Sequence, residues 1–106
     1  MKISEQGRAF ITSWAGRKVK SVDDAEVTVA STVRVPLGQA QFDALVSLVT
    51  SIGPRDFTQS ALVGKLNRGD RAGAAAEFGR WNDEAAAVRR GAERALFINA
   101  DYRLNK

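Results

Sequence analysis

The chain has 106 residues, 16 Lys+Arg against 12 Asp+Glu for a formal net charge of +4, and neither cysteine nor histidine. That length suits one small domain able to bury a core without covalent staples. The missing residue types exclude disulfides, metal sites built on thiolate or imidazole, and any nucleophile activated by histidine. The modest basic excess serves solubility or draws the chain to a polyanion or an acidic partner.

In chain order, Ser4 reads as the cap of a first helix, with Glu5 and Gln6 in its opening turn. Phe10 and Trp14 are four apart and share a face, and Gly16 is the expected stop. Arg17, Lys18 and Lys20 follow at once, either as cations at a helix C-terminus or as an anion-contacting edge. Val27, Val29, Val33 and Val35 occupy odd positions with Thr28, Thr32 and Arg34 between them. This period-two pattern of β-formers makes strand the local reading, and residues 22–35 are expected to form an extended or partly helical connector that Pro36 ends. Gln39 to Ile52 is a helix, with Phe42, Leu45, Val46, Val49 and Ile52 in one buried stripe and Gly53-Pro54 closing it. Thr58 is expected to cap a helix over Gln59–Leu66 that buries Leu62 and Leu66. After the turn Asn67-Arg68-Gly69, Asp70 caps a helix to about Trp81, with Ala74, Phe78 and Trp81 on one face. Asn82 or Asp83 caps the last helix, whose apolar side holds Ala85, Val88, Ala92, Ala95 and Leu96, and the small alanines allow close helix approach. The polar tail Asn99–Lys106 is expected to be loosely held. No run is apolar enough for a signal peptide or a membrane span; the longest, residues 42–49, is broken by Asp43 and Ser47. The fold class is mainly α, a helical domain of about five helices over 1–106.

Several ordered motifs carry more than helical patterning. They are Ile3-Ser-Glu-Gln-Gly7 through Trp14-Ala15-Gly16; Val35-Pro-Leu-Gly-Gln-Ala-Gln-Phe-Asp-Ala-Leu-Val-Ser47; Phe57-Thr-Gln-Ser-Ala-Leu62; Lys65-Leu-Asn-Arg-Gly-Asp70 followed by Ala74-Ala-Ala-Glu-Phe-Gly-Arg-Trp81; and Arg89-Arg-Gly-Ala-Glu-Arg-Ala-Leu-Phe97. In this order they resemble the helical lobe of phage-type lysozymes. The resemblance implies a lysozyme-like helical lobe from which the family's β-hairpin lobe is absent. It also implies a protein made in the bacterial cytoplasm without a signal, as the simplest phage lysozymes are before a holin releases them. By the same resemblance, the family's general-acid glutamate falls at Ala15, its aspartate at Asp24 and its threonine at Ala30. Alanine has no proton to give, and glycoside hydrolysis of this kind needs two groups in different protonation states. No catalytic residue is therefore expected, Asp24 reading as a turn residue or solvated charge. Glu26 and Glu5 are the nearby carboxylates that a rescued acid would have to use. Two further departures are Thr50-Ser51, where the family often has Phe-Asn facing its cleft, and a short loop between Trp81 and Arg89.

The strongest charged feature is the set Arg71, Arg80, Arg89, Arg90 and Arg94. Arg80, Arg89, Arg90 and Arg94 are the candidate binding residues; Arg90 and Arg94, four apart on one helix face with Glu93 nearby, otherwise read as a solvated, partly salt-bridged surface. Nucleic acid is disfavoured, because no aromatic platforms are interleaved with these arginines; Trp14, Phe42, Phe78 and Trp81 read as core. There is no phosphate loop or acidic metal cluster, so no cofactor or metal is expected. The expected function is a catalytically inactive, lysozyme-like binding protein. Its expected partner is a protein or a second copy of itself; in a phage or prophage, an inhibitor of a host defence or CRISPR component would suit its size. The alternative is a muramidase, or a protein that binds peptidoglycan without cutting it.

Overall fold

A computed structural model describes residues 1–15, 22–81 and 86–103. The elements are α1 (Glu5–Ala15), α2 (Val22–Thr32), α3 (Gln39–Ile52), α4 (Pro54–Thr58), α5 (Ala61–Asn67), α6 (Arg71–Glu77), a 3-10 turn (Phe78–Trp81) and α7 (Ala87–Asn99). Among the described residues no strand occurs, and no helix is long and apolar enough to cross a membrane. The expected stop at Gly16, the basic cluster behind it and the caps at Asn82 or Asp83 lie outside the described residues, as does Ala85.

The fold is organised around α3. Gly38 caps it, and the Gln41 side chain accepts the Gly38 N–H at 3.0 Å, satisfying one of the donors a helix start leaves open. Every residue from Phe42 to Val49 is buried, so α3 is covered on all sides, by α1 and α2 on one flank and α7 on another. Its end is sharp because Gly53 turns at φ 92°, a region side chains disfavour, and Pro54 then opens α4 at the position where its missing N–H costs nothing.

Of the two alternatives for the valine-rich segment, the structure takes the helical one: Val22–Thr32 is helix, not the strand of the local reading, and residues 33–38 are non-helical. Val22, Ala25, Val29 and Val33 are all buried, spaced three, four and four apart, which is the stripe of an α-helix facing a core. Asp23 and Asp24 sit in the first turn, where the helix dipole favours negative charge. Val27, which carried the alternation, is 67% exposed. Burial against α3 thus outweighs the β-propensity of valine and threonine. The far end of α2 is held by Asn67, whose side chain donates to the Thr32 carbonyl at 3.1 Å and accepts from Arg34 N at 2.7 Å.

Three further expectations change. The cap predicted at Thr58 is made instead by Ser60, which accepts Val63 N at 3.3 Å and opens α5; Thr58 ends α4. Val88 stands 48% exposed rather than on the apolar side of α7. The tail is held as far as Arg103. Ala100 turns the chain back through a left-handed conformation, φ 54°, and the Tyr102 hydroxyl donates to Asp43 Oδ2 at 2.6 Å. The Ser4 and Asp70 caps stand as expected, accepting Gly7 N and Gly73 N at 2.9 Å each.

Burial, and then the neighbouring Asp43, push the Tyr102 hydroxyl above its ordinary ionisation range. A group whose folded pKa is raised gives stability that is full below its unfolded pKa and lost as pH climbs toward the folded one. Tyr102→Phe is therefore expected to cost about 1 kcal/mol near neutrality. The gap from the parent should close as pH rises above about 10; urea titrations of both proteins across that range check it, and a constant gap would refute the latch.

Candidate functional site

The central helix carries two buried polar residues, each turned to a different neighbour. Asp43, fully buried, accepts from Ser4 N at 3.1 Å, Gln39 Nε2 at 2.8 Å, the Ser4 hydroxyl and Tyr102, which ties α1, α3 and the tail together. Ser47, one turn later, faces α7 and donates to Glu93, which is likewise fully buried.

Glu93 is the centre of a buried ionic cluster. Arg89 Nε lies 3.2 Å from Oε2 and Arg90 Nε lies 3.0 Å from Oε1. Arg89 also reaches across to α3, where Nη2 donates to the Ser47 carbonyl and to Thr50 Oγ1, both at 3.0 Å, and Arg90 Nη2 donates to Ser51 Oγ at 2.8 Å. Burial pushes the Glu93 carboxyl above its ordinary range, against the opposing pull of Arg90, Ser47 and Arg89. With no exposed atom, Glu93 cannot meet a substrate; it fixes the two arginines beneath the surface.

Above this cluster runs an open groove of about 570 Å³, lined by Ser51, Ile52, Asp56, Arg80, Trp81, Ala86 and Arg90. A hydroxyl, a carboxylate, guanidinium groups and a half-buried indole meet there, a mixture suited to a polar ring-shaped ligand. Asp56 is the one carboxylate among the described residues that lines it.

The four candidate arginines do not form one surface. Arg80 lines the groove, exposed and paired with Glu77 at 3.3 Å. Arg90 lines it from below, 2% exposed, and Arg89 is mostly buried beside it. Arg94 is exposed on another face, lining a different groove. The expected solvated face joining Arg90 and Arg94 is thus corrected: one turn of helix separates a core ion from a surface one, because Glu93 is buried between them.

Of the three positions read as degenerate, Ala15 is the last residue of α1, and Asp24 and Ala30 both lie exposed on α2. Six residues apart, Asp24 and Ala30 point about 120° apart around the helix. They open onto separate cavities: Asp24 onto a small one of about 80 Å³ shared with Thr28, Thr50 and Pro54, and Ala30 onto one shared with Met1, Lys2 and Val27. Neither rescuing carboxylate is well placed. Glu26 accepts the Ile3 backbone N–H at 2.6 Å, and Glu5 begins α1, roughly 15 Å along the helix axis from Ala15.

A profile of the phage lysozyme family matches residues 4–95. The chain belongs to the phage lysozyme family. It is 40% identical over 108 aligned residues to the endolysin of Acyrthosiphon pisum secondary endosymbiont phage 1, an alignment covering 91% of this chain and 68% of that protein. It is 40% identical over 83 residues to the endolysin of Salmonella phage P22, covering 74% of this chain and 55% of that one. The fold matches the solved endolysin from Escherichia coli O157:H7 phage FAHEc1 with a TM-score of 0.91 over 97% of both chains, at 19% identity. The mainly α, lysozyme-like architecture read from the motifs is the observed one. Within this phage lysozyme fold, the residues that sequence reasoning passed over are Asp43, Ser47, Glu93 and Tyr102. The first two interrupt the otherwise apolar run from Phe42 to Val49 on α3. Glu93 stands three before Leu96 and four before Phe97 on the buried side of α7, and that placement of a carboxylate was the available signal.

Proposed function

We propose that this phage lysozyme relative binds bacterial cell-wall saccharide in the groove over Arg89, Arg90 and Glu93 without hydrolysing it. The observation that carries the reading is the supply of carboxylates. By the motif resemblance the family's acid position falls at Ala15, the last residue of α1, and the groove offers Asp56 as its one accessible carboxylate among the described residues. Acid-assisted glycoside cleavage needs a proton donor and a second carboxylate or positioned water on the opposite face of the sugar. Holding a glycan needs only directional hydrogen bonds and an aromatic edge, which Ser51, Asp56, Arg80 and Trp81 supply.

Purified protein added to permeabilised cells is expected to give no fall in turbidity above buffer. The same protein should sediment with purified peptidoglycan, and Trp81→Ala should weaken that association about tenfold, the effect of roughly 1.4 kcal/mol. Clearing that disappears in Glu26→Gln would instead establish the muramidase reading.

A protein-binding role is the second reading, favoured by Ile98, which is 50% exposed and lines an apolar groove with Ala72, Ala75 and Phe97. An inhibitor of a host defence protein, working in the cytoplasm of the infected cell, is its narrower form. Saturable capture of one host protein, unaffected by added peptidoglycan, would favour it over glycan binding.

A further inference from the structure

A second groove, about 370 Å³, is lined by residues of α6, α7 and α3 and shares none with the polar one. Its floor is apolar: Ala72 and Ala75 from α6, Phe97 and Ile98 from α7. Arg71 and Arg94, both exposed, complete the lining together with Gln41 of α3. On α7 the contributing positions 94, 97 and 98 follow the i, i+3, i+4 rule, and on α6 positions 71, 72 and 75 share one face. Each wall therefore presents one cation about a turn from small or apolar residues.

Two features mark this groove as unfinished. Ile98 is 50% exposed, leaving apolar surface in water. Neither arginine makes an ion pair among the described residues. Arg71 Nη2 donates to the Pro36 carbonyl at 2.7 Å, which positions the guanidinium without neutralising it. The adjacent Asp70 carboxylate is engaged in capping Gly73 N.

We propose that this groove docks an acidic amphipathic helix of a protein partner, its aliphatic anchors lying on Ala75, Phe97 and Ile98 and its carboxylates meeting Arg71 and Arg94. The alanines on α6 let a third helix approach closely, and an i, i+4 pair of leucine-type side chains is the anchor pattern that helix-in-groove recognition uses. Two cations are too few for a lipid surface, where clusters of 4–8 Lys/Arg operate. The proposal is independent of glycan binding, because the two grooves share no lining residue.

The test uses a fluorescein-labelled helical peptide of about 15 residues, with leucines at i and i+4 and glutamates one turn away, and a counterpart with lysines in place of the glutamates. The glutamate peptide should give a saturable rise in anisotropy and shift the amide signals of Ala72, Ala75, Phe97 and Ile98. Arg71→Glu combined with Arg94→Glu should weaken it tenfold or more and allow the lysine peptide to bind. Ile98→Asn should weaken both pairings while peptidoglycan sedimentation stays unchanged. Equal binding of both peptides to the parent protein, amide shifts confined to other surfaces, or binding of phosphatidylglycerol vesicles that the double variant loses while peptide binding persists would each overturn the proposal.

Discussion

Glu93→Ala is expected to remove about 3–5 kcal/mol of stability, the cost of leaving buried charge uncompensated. That is a large share of the 5–15 kcal/mol typical of a domain. The magnitude follows from geometry rather than from any strength of the ion pairs themselves. Arg89 and Arg90 are guanidinium cations, both are largely out of water, and both lie within 3.2 Å of the same carboxylate. Deleting the anion strands them, whereas replacing the whole group by apolar residues of similar volume removes the charges together. The combined change Arg89→Met, Arg90→Met and Glu93→Leu is therefore expected to recover much of the loss. Urea unfolding of the single and triple variants checks both statements. A single-variant loss under about 1 kcal/mol would show that water or another anion reaches the arginines. The cluster also joins stability to the groove, since Arg90 holds Ser51 and lines the groove from below.

The second large effect carries a change of sign. In an open helix, glycine to alanine stabilises by roughly 0.5–1 kcal/mol. At Gly7 the added Cβ would fall within 3.0 Å of Asp43 Cγ, Oδ2 and Cβ, where atoms cannot coexist. The carboxylate cannot retreat, because Ser4, Gln39 and Tyr102 grip both of its oxygens. Gly7→Ala is therefore expected to destabilise by about 1–3 kcal/mol, the range for overpacking. In an Asp43→Ala background the two carboxylate contacts are gone and only the 2.9 Å contact with the retained Cβ remains, so the same substitution should cost clearly less than it does in the parent. Gly91→Ala, where nothing lies within 4 Å, is the control and should stabilise. Thermal melts of the parent and the four variants, with the double-mutant cycle between positions 7 and 43, measure the coupling. Additive effects at positions 7 and 43 would refute the close approach of α1 to the α3 carboxylate.

The parts of the molecule that were legible from residues alone are those where local chemistry and burial agree. α3 runs from Gln39 to Ile52 as its stripe and the Gly53-Pro54 stop require. Ser4 and Asp70 cap as short polar side chains before apolar runs do, and the ordered motifs from Ile3 to Phe97 carry the phage lysozyme family on which the fold follows. What the chain order concealed lies where two signals compete or where distant residues meet. Between Val22 and Val35 the alternating valines and the 22, 25, 29, 33 stripe were both present. Propensity for strand is worth at most about 1 kcal/mol across its whole scale, whereas burying valine side chains against α3 is worth about 1.5–3 kcal/mol each, so packing prevailed. The four arginines looked alike in sequence. Arg89 and Arg90 are set apart from Arg80 and Arg94 by partners 39 to 42 residues away on α3, at Ser47, Thr50 and Ser51, which no local spacing reveals. Tyr102 looked like part of a loose tail for the same reason, its acceptor Asp43 being 59 residues upstream. Helix type, caps and family are near-neighbour properties, set by interactions within a turn or two. Which charges are buried, which tail is held and which grooves stay open depend on how the helices pack against α3.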